Sequence, residues 1–363
     1  MNIQSLTQKA LQKEDLNIAE GVYLYTHANL AELMFVANVL RSQIRPDNVV
    51  TWIIDRNVNI TNVCISRCLF CNFHVPVNHP ETYITDIHEY SQKISELEQL
   101  GGDQLLIQGG MNPKLGLDFY IDLFSKLKAK HPNIKLHALG PPEIVFLARK
   151  AHMSYREVLE KLTDAGMESL PGAGAEILSN DIRKKISPGK CSADEWLEVM
   201  REAHKMNITT SATMMYGHIE SIEDRITHLV KLRELQSEKP ENSAGFTAFI
   251  PWPFYSKGTK IEQFFPDNYS INHEEYIRMI AISRIMLTNI PNIQASWLTV
   301  GLPTAQICLH AGAHDLGSIM IEENVVSQAG AGFRTNKDEI QQAIRNAGFT
   351  PRLRNQKYEY GDK

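Results

Sequence analysis

Three cysteines in one short loop constrain this chain more than any other feature. Cys64, Cys68 and Cys71 form a C-x3-C-x2-C motif. Three thiolates at this spacing can bind three irons of a cubane iron–sulfur cluster and leave the fourth iron without a protein ligand. Because an iron with an open coordination position can bind a small molecule, the motif predicts a site for chemistry and not only an electron carrier.

Other uses of these cysteines have to be weighed against a cluster. A disulfide framework is disfavoured, because the cysteine count of 5 is odd and a chain of 363 residues is far longer than the small secreted domains that need cross-links. A structural zinc site stays open, since His74 follows Cys71 and would complete a Cys3His set. A ferredoxin-type carrier would need a fourth thiolate. Cys191 and Cys308 lie far from the motif and are expected to be small buried hydrophobic residues.

The composition is that of an ordinary globular protein. Hydrophobic residues make up 43% and charged residues 22% of the chain. The net charge of −5 gives no electrostatic basis for binding nucleic acid. Residues 1–16 do not resemble a signal peptide, and no run of about 18 apolar residues predicts a membrane span. We therefore expect a cytoplasmic protein in a reducing compartment, where clustered cysteines bind metal.

Short apolar runs alternate along the chain with longer amphipathic segments. Eight runs are typical of buried parallel strands, at residues 61–63, 104–107, 134–139, 167–170, 209–215, 245–250, 293–297 and 318–321. Helix starts are predicted by capping boxes at Ser154, Ser192 and Asn272. Helix ends are predicted by Gly101, Gly166 and Gly348.

Eight strands alternating with helices predict an α/β fold with a parallel sheet, and such a sheet closed on itself is a (β/α)8 barrel of the TIM type. An open doubly wound sheet is the alternative, disfavoured because no G-x-G-x-x-G motif opens the chain. We predict an N-terminal helical extension over residues 1–50, the barrel over 51–350 and a polar C-terminal tail over 351–363. Catalytic residues of such a barrel follow its strands, so the cysteine loop is expected at the catalytic end.

Further motifs follow the predicted strands and are expected at the same end. Gln108-Gly109-Gly110 follows the second strand, where glycines either let a backbone approach a ligand or make a tight turn. Glu176 follows the fourth strand and could hold a ligand amine or hydroxyl, or satisfy a helix N-terminus. The fifth strand ends in residues 213–220, whose edge could hydrogen-bond an adenine.

The cysteine motif, with Phe70 directly before Cys71, resembles that of the radical S-adenosylmethionine (SAM) enzymes. Other segments are similar to one branch of them, the dehypoxanthine futalosine cyclases of the futalosine route to menaquinone; they are residues 55–64, 106–110, 137–144, 172–178, 212–218, 245–252, 292–297 and 320–324. Residues 249–252 and 321–326 favour this branch over its sisters, aminofutalosine synthase and the two subunits that build the deazaflavin chromophore. His314 departs from the family pattern where a substrate contact is expected.

The resemblance implies a radical cyclase of the SAM superfamily, with an N-terminal helical extension before its barrel. Cys64, Cys68 and Cys71 would hold a [4Fe–4S] cluster, and SAM would chelate its open iron. The implied SAM-binding residues are Phe70, Gln108, Gly109, Gly110, Glu176, Thr213, Met215 and Gly217. A 5′-deoxyadenosyl radical would take hydrogen from the substrate's sugar, and the carbon radical would close a ring on the substrate's own benzoate group.

The cyclisation also requires a proton acceptor within hydrogen-bond reach. His218, His137 and Glu176 are the candidates. The implied partners are a small nucleoside-like substrate and a reducing electron donor of the flavodoxin or ferredoxin type. Neither nucleic acid nor a membrane is expected as a partner.

Overall fold

The computed structural model describes residues 1–265, 271–324 and 332–360, in which helices alternate with strands. The helices are α1 (Ile3–Leu11), α2 (Ile18–His27), α3 (Leu30–Ile44), α4 (Ile87–Gln99), α5 (Leu117–Lys130), α6 (Pro141–Ala151), α7 (Tyr155–Asp164), α8 (Asn180–Ile186), α9 (Ala193–Lys205), α10 (Ile222–Ser237), α11 (Lys260–Phe264), α12 (His273–Met286), α13 (Trp297–Leu309) and α14 (Lys337–Asn346). The strands are β1 (Val49–Ile53), β2 (Asp55–Asn59), β3 (Gln104–Gln108), β4 (Lys135–Ala138), β5 (Met167–Leu170), β6 (Thr209–Tyr216), β7 (Phe246–Pro253), β8 (Asn292–Ile293), β9 (Asp315–Ser318) and β10 (Thr350–Leu353). Val325 and Val326 of the segment 321–326, and residues 361–363 of the predicted tail, lie outside the described residues.

The strands of the described residues form two parallel sheets. One has the order β2-β3-β4-β5-β6-β7-β8, and the other has the order β10-β1-β9. A bridge between Gln294 and Asp315 connects the end of β8 to β9, and β1 leads directly into β2. Side chains of β2, β4, β6, β7 and β9 line one cavity, so the seven-stranded sheet is curled as a half-barrel. The predicted α/β barrel class is confirmed, with its eighth strand placed in the smaller sheet.

The first predicted strand was misplaced, and two later ones were shifted. Residues 61–63 contribute only isolated bridges, whereas β2 occupies Asp55–Asn59. The residues of β2 that line the cavity are Asp55, Asn57 and Asn59, so this strand lacks the apolar pattern that marks a buried strand. The run at 293–297 is a strand only at its start, because Trp297 begins α13. The run at 318–321 begins at the last residue of β9.

The predicted helix boundaries are present. Capping boxes form at Ser154 and Ser192. The side chain of Asn272 accepts a hydrogen bond from the backbone amide of Glu275. The glycines that follow the C-caps of α4, α7 and α14 have positive φ angles, which glycine adopts without strain; they are Gly101, Gly166 and Gly348.

The N-terminal helices join the helical layer around the sheet. Helix α3 packs against α12, and Arg41 donates a hydrogen bond from Nε to the carbonyl of Ala313 at 3.0 Å. None of the described helices combines the length and the apolar character that crossing a bilayer would require.

Residues 351–360 pack into the fold instead of forming a free polar tail. Strand β10 pairs in parallel with β1. The buried guanidinium of Arg354 contacts both carboxylate oxygens of Asp315, with Nε–Oδ2 at 2.6 Å and Nη2–Oδ1 at 3.0 Å. Gln356 and Tyr358 line the cavity. This segment therefore completes the wall of the cavity.

Candidate active site

A cavity of about 430 Å³ occupies the inside of the curled sheet and reaches the loops after the strands. It is lined by many of the residues that the sequence predicts for the site: Cys64, Cys68, Phe70, Cys71, Gln108, Gly109, Gly110, His137, Glu176, Thr213 and Met215. The structure thus brings the cysteine loop and the segments after β3, β5 and β6 to one place. Gly217, His218 and His314 are not among its lining residues.

The sulfur atoms of the cysteine loop are surrounded by hydrogen-bond donors. The hydroxyl of Ser66 lies 2.8 Å from Cys64 Sγ and 3.3 Å from Cys68 Sγ. The backbone amide of Met111 donates to Cys64 Sγ at 3.3 Å. Hydrogen bonds to sulfur are one means by which a protein tunes an iron–sulfur cluster. These contacts therefore suit thiolates that carry the charge of a bound metal.

Gly110 joins the end of β3 to the cysteine loop. Its amide donates to the carbonyl of Thr61 at 2.9 Å. A Cβ atom at Gly110 would lie 2.1 Å from the carbonyl oxygen of Val63, so only glycine allows this approach. Gln108 accepts a hydrogen bond from the amide of Ile60 at 2.8 Å. The glycine motif therefore positions the cysteine loop, and its contact with SAM stays a prediction.

Lys190 is a partly buried cation at the cysteine loop that no sequence motif marks. Its Nζ lies 2.6 Å from Glu176 Oε1 and 5.1 Å from the centre of the Phe70 ring. Burial alone would lower the pKa of Lys190, but the neighbouring Cys68 and Glu176 raise it, so the pKa stays above its ordinary value. Lys190 therefore supplies positive charge where a cluster and a carboxylate ligand would bring negative charge.

The cysteines fit an iron–sulfur cluster. Burial raises the pKa of the Cys68 thiol to about 12 and also raises the pKa of Cys71, so metal has to displace their protons. The sulfurs belong to one loop, all three cysteines line the cavity, and open space lies beside them. This is the donor set of a cluster with one free iron.

The zinc alternative depends on His74, whose Nδ1 lies 2.9 Å from the carbonyl oxygen of Cys71. Within residues 1–265, 271–324 and 332–360, no three His, Cys, Asp or Glu side chains lie close enough to hold a single metal ion. A cubane cluster does not require three side chains to meet at one metal ion, because each cysteine binds a different iron.

His218 and Gly217 belong to a buried turn outside the cavity. His218 Nδ1 lies 3.0 Å from Glu220 Oε2, and its Nε2 lies 3.2 Å from the carbonyl oxygen of Met215. Glu220 also accepts from the amide of Gly217 at 2.6 Å. The expected roles of His218 as proton acceptor and Gly217 as adenine contact are therefore not supported by their positions, because the carboxylate of Glu220 engages both residues.

His314 is also displaced from its expected position. It is fully buried, with Nε2 2.6 Å from Asn292 Oδ1 and Nδ1 3.1 Å from Arg284 Nη2. The departure of His314 from the family pattern therefore affects packing outside the cavity and does not change a side chain that lines it.

Two other titratable groups line the cavity. Burial lowers the pKa of His137 to about 3, so its ring is neutral at physiological pH. Burial raises the pKa of Glu143 to about 7, and its buried Oε2 has no hydrogen-bond partner in the described part of the chain. Glu143 lies in residues 137–144, one of the segments that are similar to the family. That similarity is the sequence signal that could have identified it, because its residue type alone does not.

Polar and apolar side chains both line the cavity. Asn57, His137 and Thr213 extend from β2, β4 and β6. Ile250, Trp252 and Leu316 extend from β7 and β9; Trp297 lies nearby in the lining at the start of α13. An amphipathic cavity of this kind suits a ligand with a hydroxyl-bearing part and an aromatic part.

Comparison with known families agrees with this geometry. Residues 58–232 match the model of the radical SAM superfamily, and residues 243–363 match a model described as the CofH/MqnC C-terminal region. The first match contains the cysteine loop and Lys190. The second contains Ile250 and Trp252 of the cavity wall and the segment after β10 that carries Gln356 and Tyr358.

Individual relatives cover nearly the whole chain. It is 38% identical to a cyclic dehypoxanthine futalosine synthase of Halalkalibacterium halodurans, over 99% of this chain and 95% of the relative. It is also 38% identical to a 5-amino-6-(D-ribitylamino)uracil–L-tyrosine 4-hydroxyphenyl transferase of Methanopyrus kandleri, over 90% of this chain and 88% of the relative. The fold resembles methylornithine synthase, with a TM-score of 0.72, 18% identity, and coverage of 95% of this chain and 97% of the other. The chain therefore belongs to the radical SAM superfamily, whose enzymes use a [4Fe–4S] cluster and SAM.

Proposed function

We propose that this enzyme is a radical SAM cyclase that converts dehypoxanthine futalosine into its cyclic product in menaquinone biosynthesis. One observation carries the proposal: the three cysteines line a single cavity whose wall also presents polar side chains and the aromatic side chains of Trp252 and Trp297. A substrate that joins a sugar to a benzoate group has both kinds of surface. Residues 249–252 and the relative from Halalkalibacterium support the cyclase.

The positions of the side chains support the proposed cofactor roles. Cys64, Cys68 and Cys71 would hold the cluster, and Lys190 would pair with the carboxylate of SAM. The expected adenine and methionine contacts are Phe70, Gln108, Gly109, Gly110, Glu176, Thr213 and Met215. When bound, the cluster and SAM supply the hydrogen-abstracting radical; the buried walls of the cavity exclude water from it.

Glu143 is the best-placed proton acceptor among the cavity residues. His137 is a weak base, because burial holds its pKa at about 3. Glu176 is already paired with Lys190 at 2.6 Å. Glu143 has a free buried oxygen and a pKa of about 7, near the value at which a general base is most effective.

A basic surface beside the cysteine loop suits an acidic one-electron carrier of the flavodoxin or ferredoxin type. We call the exposed residues Arg67, Lys184, Lys185, Lys257 and Lys260 the basic surface. Backbone hydrogen bonds bring its segments together: the amide of Gly189 donates to Ser66 at 3.0 Å, and the amide of Ile261 donates to Leu69 at 3.2 Å. The same segments carry the exposed acids Asp181 and Glu262, so positive charge prevails there in a chain of net charge −5.

The electron-donor role of this surface is tested by charge reversal. Lys184→Glu combined with Lys185→Glu should slow reduction of the enzyme by a flavodoxin and weaken its salt dependence, since charge complementarity acts mainly on association. Reduction by dithionite, a small reagent, should stay unchanged. Lys13→Glu, an exposed change after α1, serves as the control. Equal rates for the double variant and the control would refute the role.

The cyclase proposal is tested with anaerobically reconstituted enzyme, SAM, a reductant and dehypoxanthine futalosine. Formation of 5′-deoxyadenosine together with a cyclised product supports it. The same preparation is then assayed with 5-amino-6-(D-ribitylamino)uracil and tyrosine, the substrates in the name of the transferase relatives. Turnover of this pair, without cyclisation, would replace the proposal with the transferase reaction.

A further inference from the structure

Three neighbouring strands place two polar side chains in one row of the cavity wall. Asn57 of β2 is in register with Leu106 of β3, which is in register with His137 of β4. Neighbouring strands lie about 4.8 Å apart, so the backbones of Asn57 and His137 are about 10 Å apart. All three residues line the cavity. The row therefore presents one polar side chain on each side of an apolar one.

Asn57 has an unused hydrogen-bond acceptor. The residue is 5% exposed, and its Oδ1 has no hydrogen-bond partner among the residues that the structure describes. A buried carbonyl oxygen without a donor is unfavourable, and such atoms in native proteins are normally satisfied by water or a ligand. Since the side chain lines the cavity, a ligand that donates a hydrogen bond can satisfy it.

His137 presents a second acceptor. Its Nδ1 lies 2.7 Å from the hydroxyl of Ser169, and its Nε2 lies 3.4 Å from Gln356 Nε2. An amide nitrogen only donates, so Nε2 is the acceptor and Nδ1 carries the proton. Gln356 is held in turn by Gln104 Nε2, which donates to its Oε1 at 3.2 Å. The long contact from Gln356 leaves the Nε2 lone pair available to a better donor.

We propose that Asn57 and His137 accept hydrogen bonds from two hydroxyls of the substrate's sugar. This placement directs the benzoate group toward β7, where Ile250 and Trp252 provide apolar surface. The inference rests on the proposed function, and it makes His137 a substrate-binding residue and not a proton acceptor. Both side chains precede the strand ends where SAM is expected, so the sugar lies deeper in the barrel than SAM.

The SAM ribose is a second source of hydroxyls, and the experiment has to separate it from the substrate. Dissociation constants are measured anaerobically, on reconstituted holoenzyme, for dehypoxanthine futalosine and for SAM separately. Asn57→Leu should weaken substrate binding about tenfold, the usual scale for one hydrogen bond lost from a binding site. SAM binding should stay unchanged. A variant that weakens SAM and leaves the substrate unaffected would overturn the assignment.

Thermal unfolding distinguishes a binding role from a structural one. Removing an unsatisfied buried carbonyl should leave the unfolding temperature of Asn57→Leu equal to or above that of the wild type. Asn292→Leu is the matched control, because Asn292 is equally buried but bonds Thr247, Arg45 and His314 and does not line the cavity. That control should unfold at lower temperature and bind substrate normally. A loss of stability in Asn57→Leu like that of the control would contradict the proposal.

A substrate analogue without the sugar hydroxyls completes the test. Wild type and Asn57→Leu should bind this analogue equally, because the interaction partner of Asn57 is gone. An unchanged tenfold difference would overturn the assignment. If wild type binds and cyclises dehypoxanthine futalosine but Asn57→Leu binds it equally well, this inference alone fails. If wild type neither binds nor cyclises it, the proposed function fails and the inference falls with it.

Discussion

Residues 58–232 and residues 243–360 contribute different halves of the same cavity. The first region supplies the three cysteines of the motif, Lys190, His137 and Glu176. The second supplies Ile250, Trp252, Trp297 and the segment of Gln356 and Tyr358. The difference teaches that the proposed cofactor contacts come from the first region, whereas the proposed substrate contacts include His137 of the first region and Trp252 of the second. Changes in the second region should therefore affect substrate binding and leave SAM binding unchanged.

The largest effect is expected from Cys68→Ala in the first region. Removing one of three ligands should abolish the cluster and all turnover, as measured by iron and sulfide content and product formation. The fold should survive, because the loop lies at the end of the barrel; circular dichroism on heating would show this. Cys308→Ala is the control, since Cys308 is buried far along the chain from the motif. Retention of a full cluster in Cys68→Ala would contradict the assignment.

Glu143→Gln tests the proton acceptor of the first region. It should lower the rate of product formation by about 10²-fold, the lower range for general base catalysis. SAM and substrate affinities should change little, because the replacement keeps the shape of the side chain. A rate equal to wild type, with an unchanged pH profile, would exclude Glu143.

Lys190→Met should change the affinity for SAM without changing the affinity for the substrate. Losing a charge-assisted contact should weaken SAM binding by about tenfold or more, while substrate binding stays unchanged. Lys190→Arg should restore part of the affinity, because it keeps the charge next to Glu176. The outcome that contradicts this role is equal weakening of both ligands.

Trp252→Ala makes the complementary change in the second region. Substrate binding should weaken by about tenfold through the loss of apolar contact, and SAM affinity should be unaffected. Phe35→Ala, an exposed apolar residue on α3, is the control. If Trp252→Ala weakens SAM instead, the separation between the two regions is wrong.

Acid should produce a gradual loss of stability that is spread over the whole fold. Burial lowers the pKa of His204 to about 4 and that of His228 to about 3, whereas an unfolded histidine has a pKa of about 6.5. The unfolded state therefore binds more protons below pH 6.5, and stability falls by up to about 1.4 kcal/mol per pH unit for each histidine. Urea unfolding between pH 7.5 and 5 measures this slope, and His204→Gln should reduce it. Burial also lowers the pKa of His314 in the second region. Both regions should therefore lose stability in acid.

The sequence predicted the cofactor side of the cavity better than the rest. Short motifs with fixed spacing mark Cys64, Cys68 and Cys71, and their position after a strand places them at the cavity. Lys190 has no such mark, because its role depends on a contact with Glu176 that the intervening segment with α8 brings about. The glycine pair was recognised, but its close approach to Val63 becomes visible only in three dimensions.

The errors have a common physical origin. Strand β2 was missed because a strand that faces a ligand cavity carries polar residues such as Asn57, whereas prediction from apolar pattern assumes a packed interior. Residues 351–360 were expected to be a tail for the same reason. A charged residue such as Arg354 is usually exposed, so the sequence favours a solvated tail. In the fold Arg354 is buried, because the carboxylate of Asp315, which is distant along the chain, neutralises it.

The position of β10 has a consequence for synthesis of the enzyme on the ribosome. Strand β1 precedes the cysteine loop in the chain, yet its neighbour β10 is translated long after that loop. Gln356 and Tyr358 can therefore join the cavity wall only after the ribosome has completed the cysteine loop and most of the other lining residues.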